Sequence, residues 1–340
     1  MPAVPSTRMT RVLSGIQPTG DIHLGNFLGA LRQWAIDQHE HDSFYCAVDL
    51  HAITVQQDPV ELRSKTLETM ATLVAVGLDP EVCTLFVQSH VPYHTELSWL
   101  LECTVSFGEL RRMTQFKDKS VKQGDAGQEH VSAGLFTYPA LMAADILIYD
   151  ADRVPVGDDQ RQHLELTRDV ADRFNSRYGE TFVLPAAAIP TIAARVMDLQ
   201  EPTNKMSKST ESPMGTIGIF EATTSIAKKL KRAVTDSEND VRFDFDKKPG
   251  VSNLLSILGA ATGRDPETLA DDYHQYGPLK NDTAEAIIDV LEPVQRRRAE
   301  LLADPAELDR IIARGAGKAA EVAALTVQRA KDAMGFLPLA

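Results

Sequence analysis

Short apolar runs alternate with amphipathic helices through the first two hundred residues, and this alternation constrains the fold more than any other feature. "TRVLSG" predicts a strand that ends in the Pro/Gly turn cluster "IQPTGD". Leu24, Phe27, Leu28, Leu31 and Trp34 then recur at helical spacing, with Asp21 as the candidate N-cap. "FYCAVDLHAIT" reads as a second strand, residues 59–76 as a helix opened by Pro59 and stopped by Gly77, and "CTLFVQS" as a third strand. Helices are predicted over 94–103 and 109–116. "ILIYDADRVPVG" adds a strand, and "DDQRQHLELTRDVADRF" a helix with an acidic first turn. Strands alternating with helices imply an α/β fold, a parallel sheet with helices on both faces. The polar stretch "KDKSVKQGDAGQE" (117–129) reads as a surface loop. After Pro213 the texture changes: 222–234, 252–262, 265–275, 283–303 and 306–334 are helical by period and caps. The expected division is an α/β domain over 1–212, with a helical insertion about 60–130, and an all-helical domain over 213–340.

Composition narrows the function classes. The chain has 340 residues and a net charge of −13. An overall acidic field does not hold a protein to DNA, RNA or an anionic membrane, so any anionic partner must meet local basic patches. Cys46, Cys83 and Cys103 are widely spaced, which supports neither a zinc ribbon nor a disulfide scaffold. The N-terminus "MPAVPSTRMTRVLSG" lacks an apolar signal core, and the best apolar run, "YPALMAADILIY", is interrupted by Asp145. These features predict a cytoplasmic protein with no membrane or DNA partner.

Two stretches carry chemistry. "GIQPTGDIHLGNFLGA" (15–30) is a strand, a turn and a helix start. A helix N-terminus exposes free N–H groups and partial positive charge, which suits phosphate. Gly25 permits close approach, and His23 and Asn26 stand one turn apart with donors for an anionic oxygen. Neither the Walker pattern nor the dinucleotide fingerprint is present. The second stretch, "NKMSKS" (204–209), puts Lys205 and Lys208 among small hydroxyls. A lysine pair in a loop is ordinarily a solvated turn.

Together the two stretches are similar to the paired signatures of the class I aminoacyl-tRNA synthetases. "HLGN" resembles the HIGH signature, and residues 205–209 match KMSKS letter for letter. Leu24 stands for Ile and Asn26 for the second His; the Gly-Asn ending resembles the tryptophan and tyrosine branch. Within it, "SGIQPTG", "DLHAIT", "GELRRMTQFKDKS", "TYPALMAADILIYDADRVPVGDDQRQHLELTRD", "AVTDSE" and "KPGVSNLL" resemble the bacterial tryptophanyl group.

The resemblance implies a Rossmann-type catalytic domain and a helical anticodon-binding domain. It implies a homodimer, with its interface expected in the apolar helices of 60–115. It implies that ATP, with Mg²⁺, activates L-tryptophan as an adenylate before transfer to tRNA. On this reading His23, Asn26, Lys205 and Lys208 are catalytic. Gln17, Pro18, Thr19, Gly25 and Asn26 line one side of ATP, and Met206, Ser207 and Ser209 add backbone and hydroxyl contacts. Val196 lies at the adenine, and Gly157, Asp158 and Asp159 at the ribose. Lys117 and Lys119 add phosphate contacts, and His51 sits close to ATP. Asp145 reads the indole N–H, Met142 and Val154 hold the ring, and Tyr138 and Gln160 hold the ammonium and carboxylate. From the residues alone, Asp145 could equally be a cap bound to backbone, Asp158 and Asp159 could stabilise a helix dipole, and His51 could be a core histidine.

Candidate tRNA-binding clusters are "KKLKR" (228–232), "RRR" (296–298) and Arg111 with Arg112, although a charge run is usually a solvated helix face. No insertion long enough for an editing domain is visible. A tyrosyl enzyme is the nearest alternative, disfavoured by the all-helical end. A non-catalytic RNA-binding relative is disfavoured by the intact signatures.

Overall fold

The computed structural model describes residues 8–114, 132–155, 157, 160–188, 196–207 and 212–338. Among these residues five parallel strands form one sheet: β1 (Arg11–Ile16), β2 (Asp42–Ala47), β3 (Thr84–Val87), β4 (Arg153–Pro155) and β5 (Ala186–Ala188). The spatial order is β3-β2-β1-β4-β5. From β1 the chain builds outward to β2 and β3 on one side, then returns to place β4 and β5 on the other. The switch point therefore lies between β1 and β4, and a crevice opens beyond the carboxyl ends of those two strands.

The apolar character of β2 and β3 follows from burial on both faces. Tyr45, Ala47, Leu85 and Val87 enter one core, while Phe44, Cys46 and Phe86 enter the other. Successive side chains of a strand point to opposite faces, so one short run serves both layers. Helices α1 (Leu24–Asn26) and α2 (Arg32–Asp37), joined by a π-helical turn over Phe27–Leu31, pack in the first layer with α4 (Pro59–Ala75). α4 is capped by Asp58, whose side chain accepts from Val60 and Glu61 N–H at 2.9 Å. It crosses from β2 to β3 and ends at Gly77, whose φ of +106° suits glycine. Helices α5 (Tyr93–Glu102), α6 (Phe107–Arg112), α7 (Ala133–Leu147) and α8 (Arg161–Tyr178) cover the other face.

The remaining helices are α9 (Thr223–Lys231), α10 (Pro249–Thr262), α11 (Pro266–Ala270), α12 (Tyr276–Ala303) and α13 (Pro305–Met334). They join both cores: Leu254, Ile287 and Ile312 lie in the first, Ala319, Ala323 and Val327 in the second. α13 meets β3 through Gly315, where a Cβ would stand 1.6 Å from the Leu85 carbonyl oxygen. No side chain fits there, so the close approach requires glycine.

Several expectations need correction. The helix predicted over 109–116 ends at Arg112, the one over 265–275 ends at Ala270, and α8 begins at Arg161 with no acidic residue in its first turn. The second strand stops at Ala47, and Asp49–Ala52 forms a short helix, α3. The apolar stretch to Leu147 is helix, so the following strand shrinks to Arg153–Pro155. The N-cap of α1 is His23, because Asp21 instead pairs with Lys65 at 2.8 Å. The proposed loop 117–129, with Lys117 and Lys119, lies outside the described residues.

Candidate active site

Gln17, Pro18, Thr19 and Gly157 lie at the carboxyl ends of β1 and β4. β1 runs directly into Gln17, Pro18 and Thr19, and Gly157 follows β4 after one intervening residue. Gln17 and Gly157 are exposed at this end, and Gln160 N–H donates to the Gly157 carbonyl at 3.0 Å as α8 begins.

His23 and Asn26 form a reciprocal capping box. Asn26 N–H donates to His23 Nδ1, and His23 N–H donates to Asn26 Oδ1, both at 3.3 Å. The first signature thus fixes its own helix start. A Cβ on Gly25 would meet the His23 ring at 3.0 Å and the Met206 Cβ at 3.7 Å. The second signature therefore packs against the first, across a glycine.

That second stretch is one arm of a β-hairpin. Met206 N–H donates to the Val196 carbonyl at 3.1 Å, Met197 bridges antiparallel to Lys205, and Asp198 N–H donates to the Asn204 carbonyl at 2.8 Å. Asp198 Oδ1 accepts from Gln200 and Glu201 N–H and shapes the turn. The segment after the hairpin holds the two stretches together: it bridges antiparallel to His23, Leu24 N–H donates to the Ile217 carbonyl at 2.8 Å, and Thr216 Oγ1 donates to the Ser207 carbonyl at 2.9 Å. Lys205 is exposed at the hairpin, whereas Val196 and Met206 are buried in the core. Met206 N–H is already committed to Val196. Lys208, Ser209, Asp158 and Asp159 lie outside the described residues.

On the other side of the sheet, α7 carries Tyr138, Met142 and Asp145 at spacings of four and three, one stripe of a helix. Asp145 is 7% exposed. Its partners are side chains, not backbone. Oδ1 accepts from Gln88 Nε2 and from His94 Nδ1, each at 2.7 Å, and Oδ2 accepts from His51 Nε2 at 2.7 Å. The far nitrogen of His94 meets the Tyr149 hydroxyl at 2.7 Å, and burial pushes that hydroxyl well up, so it remains a donor. Burial alone would push the Asp145 carboxyl up as well. The hydrogen bonds from His51 and His94 outweigh it and hold the carboxyl at about 2, so Asp145 is a carboxylate at neutral pH.

His51 therefore stands on Asp145, with its ring edge-on to Tyr138 at 6.2 Å. The Tyr138 hydroxyl meets His163 Nε2 on α8 at 2.7 Å. Met142 is half-buried on the α7 stripe, and Val154 is buried in β4. Gln88 and His94 were not singled out in the sequence; they arrive from the end of β3 and the start of α5, and no local pattern announces a contact across fifty residues.

The family model described as "tRNA synthetases class I (W and Y)" matches residues 5–292. The chain belongs to this class I synthetase family. Among its members, a tryptophan–tRNA ligase of Streptomyces avermitilis is 55% identical over 331 residues, covering 96% of this chain and 97% of the relative. The tryptophanyl-tRNA synthetase structure from Mycoplasma pneumoniae superposes with a TM-score of 0.89 at 38% identity, covering 97% of this chain and 98% of that one. The Campylobacter jejuni structure, complexed with ADP and tryptophan, gives a TM-score of 0.81 at 34% identity, covering 96% of this chain and all of that one. In this member of the family, Met206 packs against Gly25 and His23 at the start of α1.

Proposed function

We propose that this class I synthetase attaches L-tryptophan to its tRNA through a tryptophanyl-adenylate. The observation that carries the reading is the assembly of both signatures, His23–Asn26 and Lys205–Ser207, at the crevice into which β1 opens. The α7 stripe supplies an ionised, buried carboxylate held by His51, Gln88 and His94.

In the first step a carboxylate oxygen of tryptophan attacks the α-phosphorus of ATP, and the bond to the β-phosphate oxygen breaks to release pyrophosphate. No covalent enzyme intermediate is needed. The protein positions the two substrates and neutralises the negative charge that develops on the phosphates. His23 and Asn26 face one side of the nucleotide, with Gln17, Pro18, Thr19 and Gly25. Lys205 and Lys208 with Ser207 and Ser209 face the other, and Gly157, Asp158 and Asp159 meet the ribose. Val196 and Met206 act from the core as the packed floor of the hairpin. Mg²⁺ would accompany the ATP phosphates and neutralise part of their charge.

Asp145 selects the amino acid. A carboxylate oxygen accepts two donors. Oδ1 already has two, and Oδ2 has one, from His51. The acceptor site left on Oδ2 suits an indole N–H, a donor only. Met142 and Val154 hold the ring, and Tyr138 and Gln160 the ammonium and carboxylate. In the second step a ribose hydroxyl at the 3′ end of tRNA attacks the tryptophanyl carbonyl, loses its proton and forms the ester as the bond to the phosphate breaks and AMP leaves. Trp99 on α5 and Phe107 on α6, both strongly exposed, supply an apolar face for the expected homodimer. No described helix is long and apolar enough to cross a membrane.

The test is pyrophosphate exchange with ATP and each of the twenty amino acids in turn. Exchange with tryptophan far above tyrosine supports the reading. Exchange dominated by tyrosine, or by none, contradicts it.

A further inference from the structure

The KMSKS hairpin is held from behind by a residue that belongs to neither signature. In an antiparallel pair, alternate residues direct their N–H and C=O groups toward and away from the partner strand. Val196 and Asp198 bond across the hairpin, to Met206 and Asn204. Met197 between them faces the other way. Its N–H donates to Asn253 Oδ1 at 2.8 Å, and its carbonyl accepts from Asn253 Nδ2 at 3.0 Å. The side-chain amide thus occupies the place of a neighbouring strand. A side-chain amide presents one acceptor and one donor side by side, which matches both main-chain groups of Met197.

Asn253 is 1% exposed and sits on α10 between Val251 and Leu254, both fully buried. An amide buried among aliphatic residues is tolerated because both of its groups are paired. Removing it would leave two buried main-chain groups of Met197 without partners. Met197 lies directly across from Lys205, and Met206 lies 3.7 Å from where a Gly25 Cβ would stand. A displacement of the Met197 strand therefore moves Lys205 and Met206 relative to His23 and the start of α1.

We propose that Asn253 is a positioning residue for amino-acid activation: by clamping both main-chain groups of Met197, it sets where the hairpin carries Lys205. The proposal rests on the adenylate-forming reading above, which wild-type exchange with tryptophan tests on its own. Misplacing a charged group by about 1 Å can lower a rate by about 10²-fold. Asn253→Ala should accordingly lower kcat of pyrophosphate exchange by roughly 10- to 100-fold. The Kd of tryptophan, which binds at the α7 stripe, should change less than about twofold by equilibrium fluorescence. Asn253→Asp keeps the acceptor for Met197 N–H but sets an oxygen against the Met197 carbonyl, and should show the same split.

The decisive comparison is with Lys205→Ala. If Asn253 acts through the hairpin, the double variant should be no slower than Lys205→Ala by more than about twofold, because the group being positioned is already gone. Losses that multiply would overturn the proposal. So would variants with a lower melting temperature and unchanged kcat, which would mark a purely structural amide, or failure of both variants to fold. Absence of wild-type exchange with tryptophan would instead overturn the functional reading beneath it.

Discussion

At the scale of single residues, Asp145 is where the chemistry is most specific. Its Oδ1 is saturated by Gln88 and His94, and its Oδ2 retains one acceptor site. A hydrogen bond to a charged group contributes about 1.5–3 kcal/mol, so Asp145→Ala should lower kcat/KM for tryptophan by about 10- to 150-fold. The variant should also lose most of its preference for tryptophan over an analogue whose ring N–H is replaced by a non-donor. Measuring kcat/KM for both substrates with both proteins, beside a thermal melt, checks this. A folded variant with unchanged discrimination would remove Asp145 from the site. The sequence marks Asp145, because a carboxylate in "YPALMAADILIY" needs a partner. It does not mark Gln88, His94 or Asn253. Their roles are long-range contacts of ordinary polar residues, and nothing in the neighbouring positions distinguishes them from surface ones.

At the scale of elements, the periodic helices were legible and the buried turns were not. α4, α8 and the long C-terminal helices follow from 3.6-residue spacing, Pro starts and glycine stops. The run "FYCAVDLHAIT" misleads because a buried strand and a buried helical turn are equally apolar; the chain turns at Asp49, whose carboxylate accepts from Ser89 N–H at 2.9 Å. β5 is Ala186–Ala188, short and without β-branched residues, so it carries no strand signal. The start of α6 is legible as a capping box, Ser106 with Glu109. What local sequence hides is that Glu109 also pairs with Arg173 of α8, at 2.5 and 3.0 Å. Bonding from Arg173, against the opposing effect of burial, holds the Glu109 carboxyl at about 2 rather than its ordinary 4.5. A carboxyl depressed on folding stabilises above its unfolded value, and that contribution is lost as pH falls through the folded one. Glu109→Gln should therefore cost about 1–2 kcal/mol at neutral pH, allowing for the partial exposure of Arg173. The gap in melting temperature between wild type and variant should close between about pH 4.5 and pH 2. A gap that stays constant across that window would mean the pair contributes nothing by charge.

At the scale of the whole molecule, an acidic protein must meet an acidic nucleic acid through local patches, and the structure sorts the candidates. In "RRR", Arg298 pairs with Glu68 at 2.9 Å and stacks over Phe220, while Arg297 pairs with Glu307 at 2.6 Å. In "KKLKR", Lys229 pairs with Glu221 at 2.6 Å and also bonds the Thr216 carbonyl behind the hairpin. Lys228, Lys231, Arg232 and Arg296 are exposed. Replacing Lys228, Lys231 and Arg232 with Gln should spare pyrophosphate exchange, weaken tRNA charging and flatten its salt dependence, by about one unit of log–log slope per phosphate contact removed. Charging with wild-type strength and slope would leave that cluster a solvated helix face. The claim on which all of this depends is that one chain both activates tryptophan and delivers it to tRNA. The most direct measurement supplies the enzyme with ATP, total tRNA and labelled tryptophan or labelled tyrosine, and counts the label precipitated with the tRNA. ATP-dependent charging with tryptophan and none above background with tyrosine is the predicted result. Charging with tyrosine, or no transfer of either amino acid by an enzyme that binds tryptophan, would contradict it.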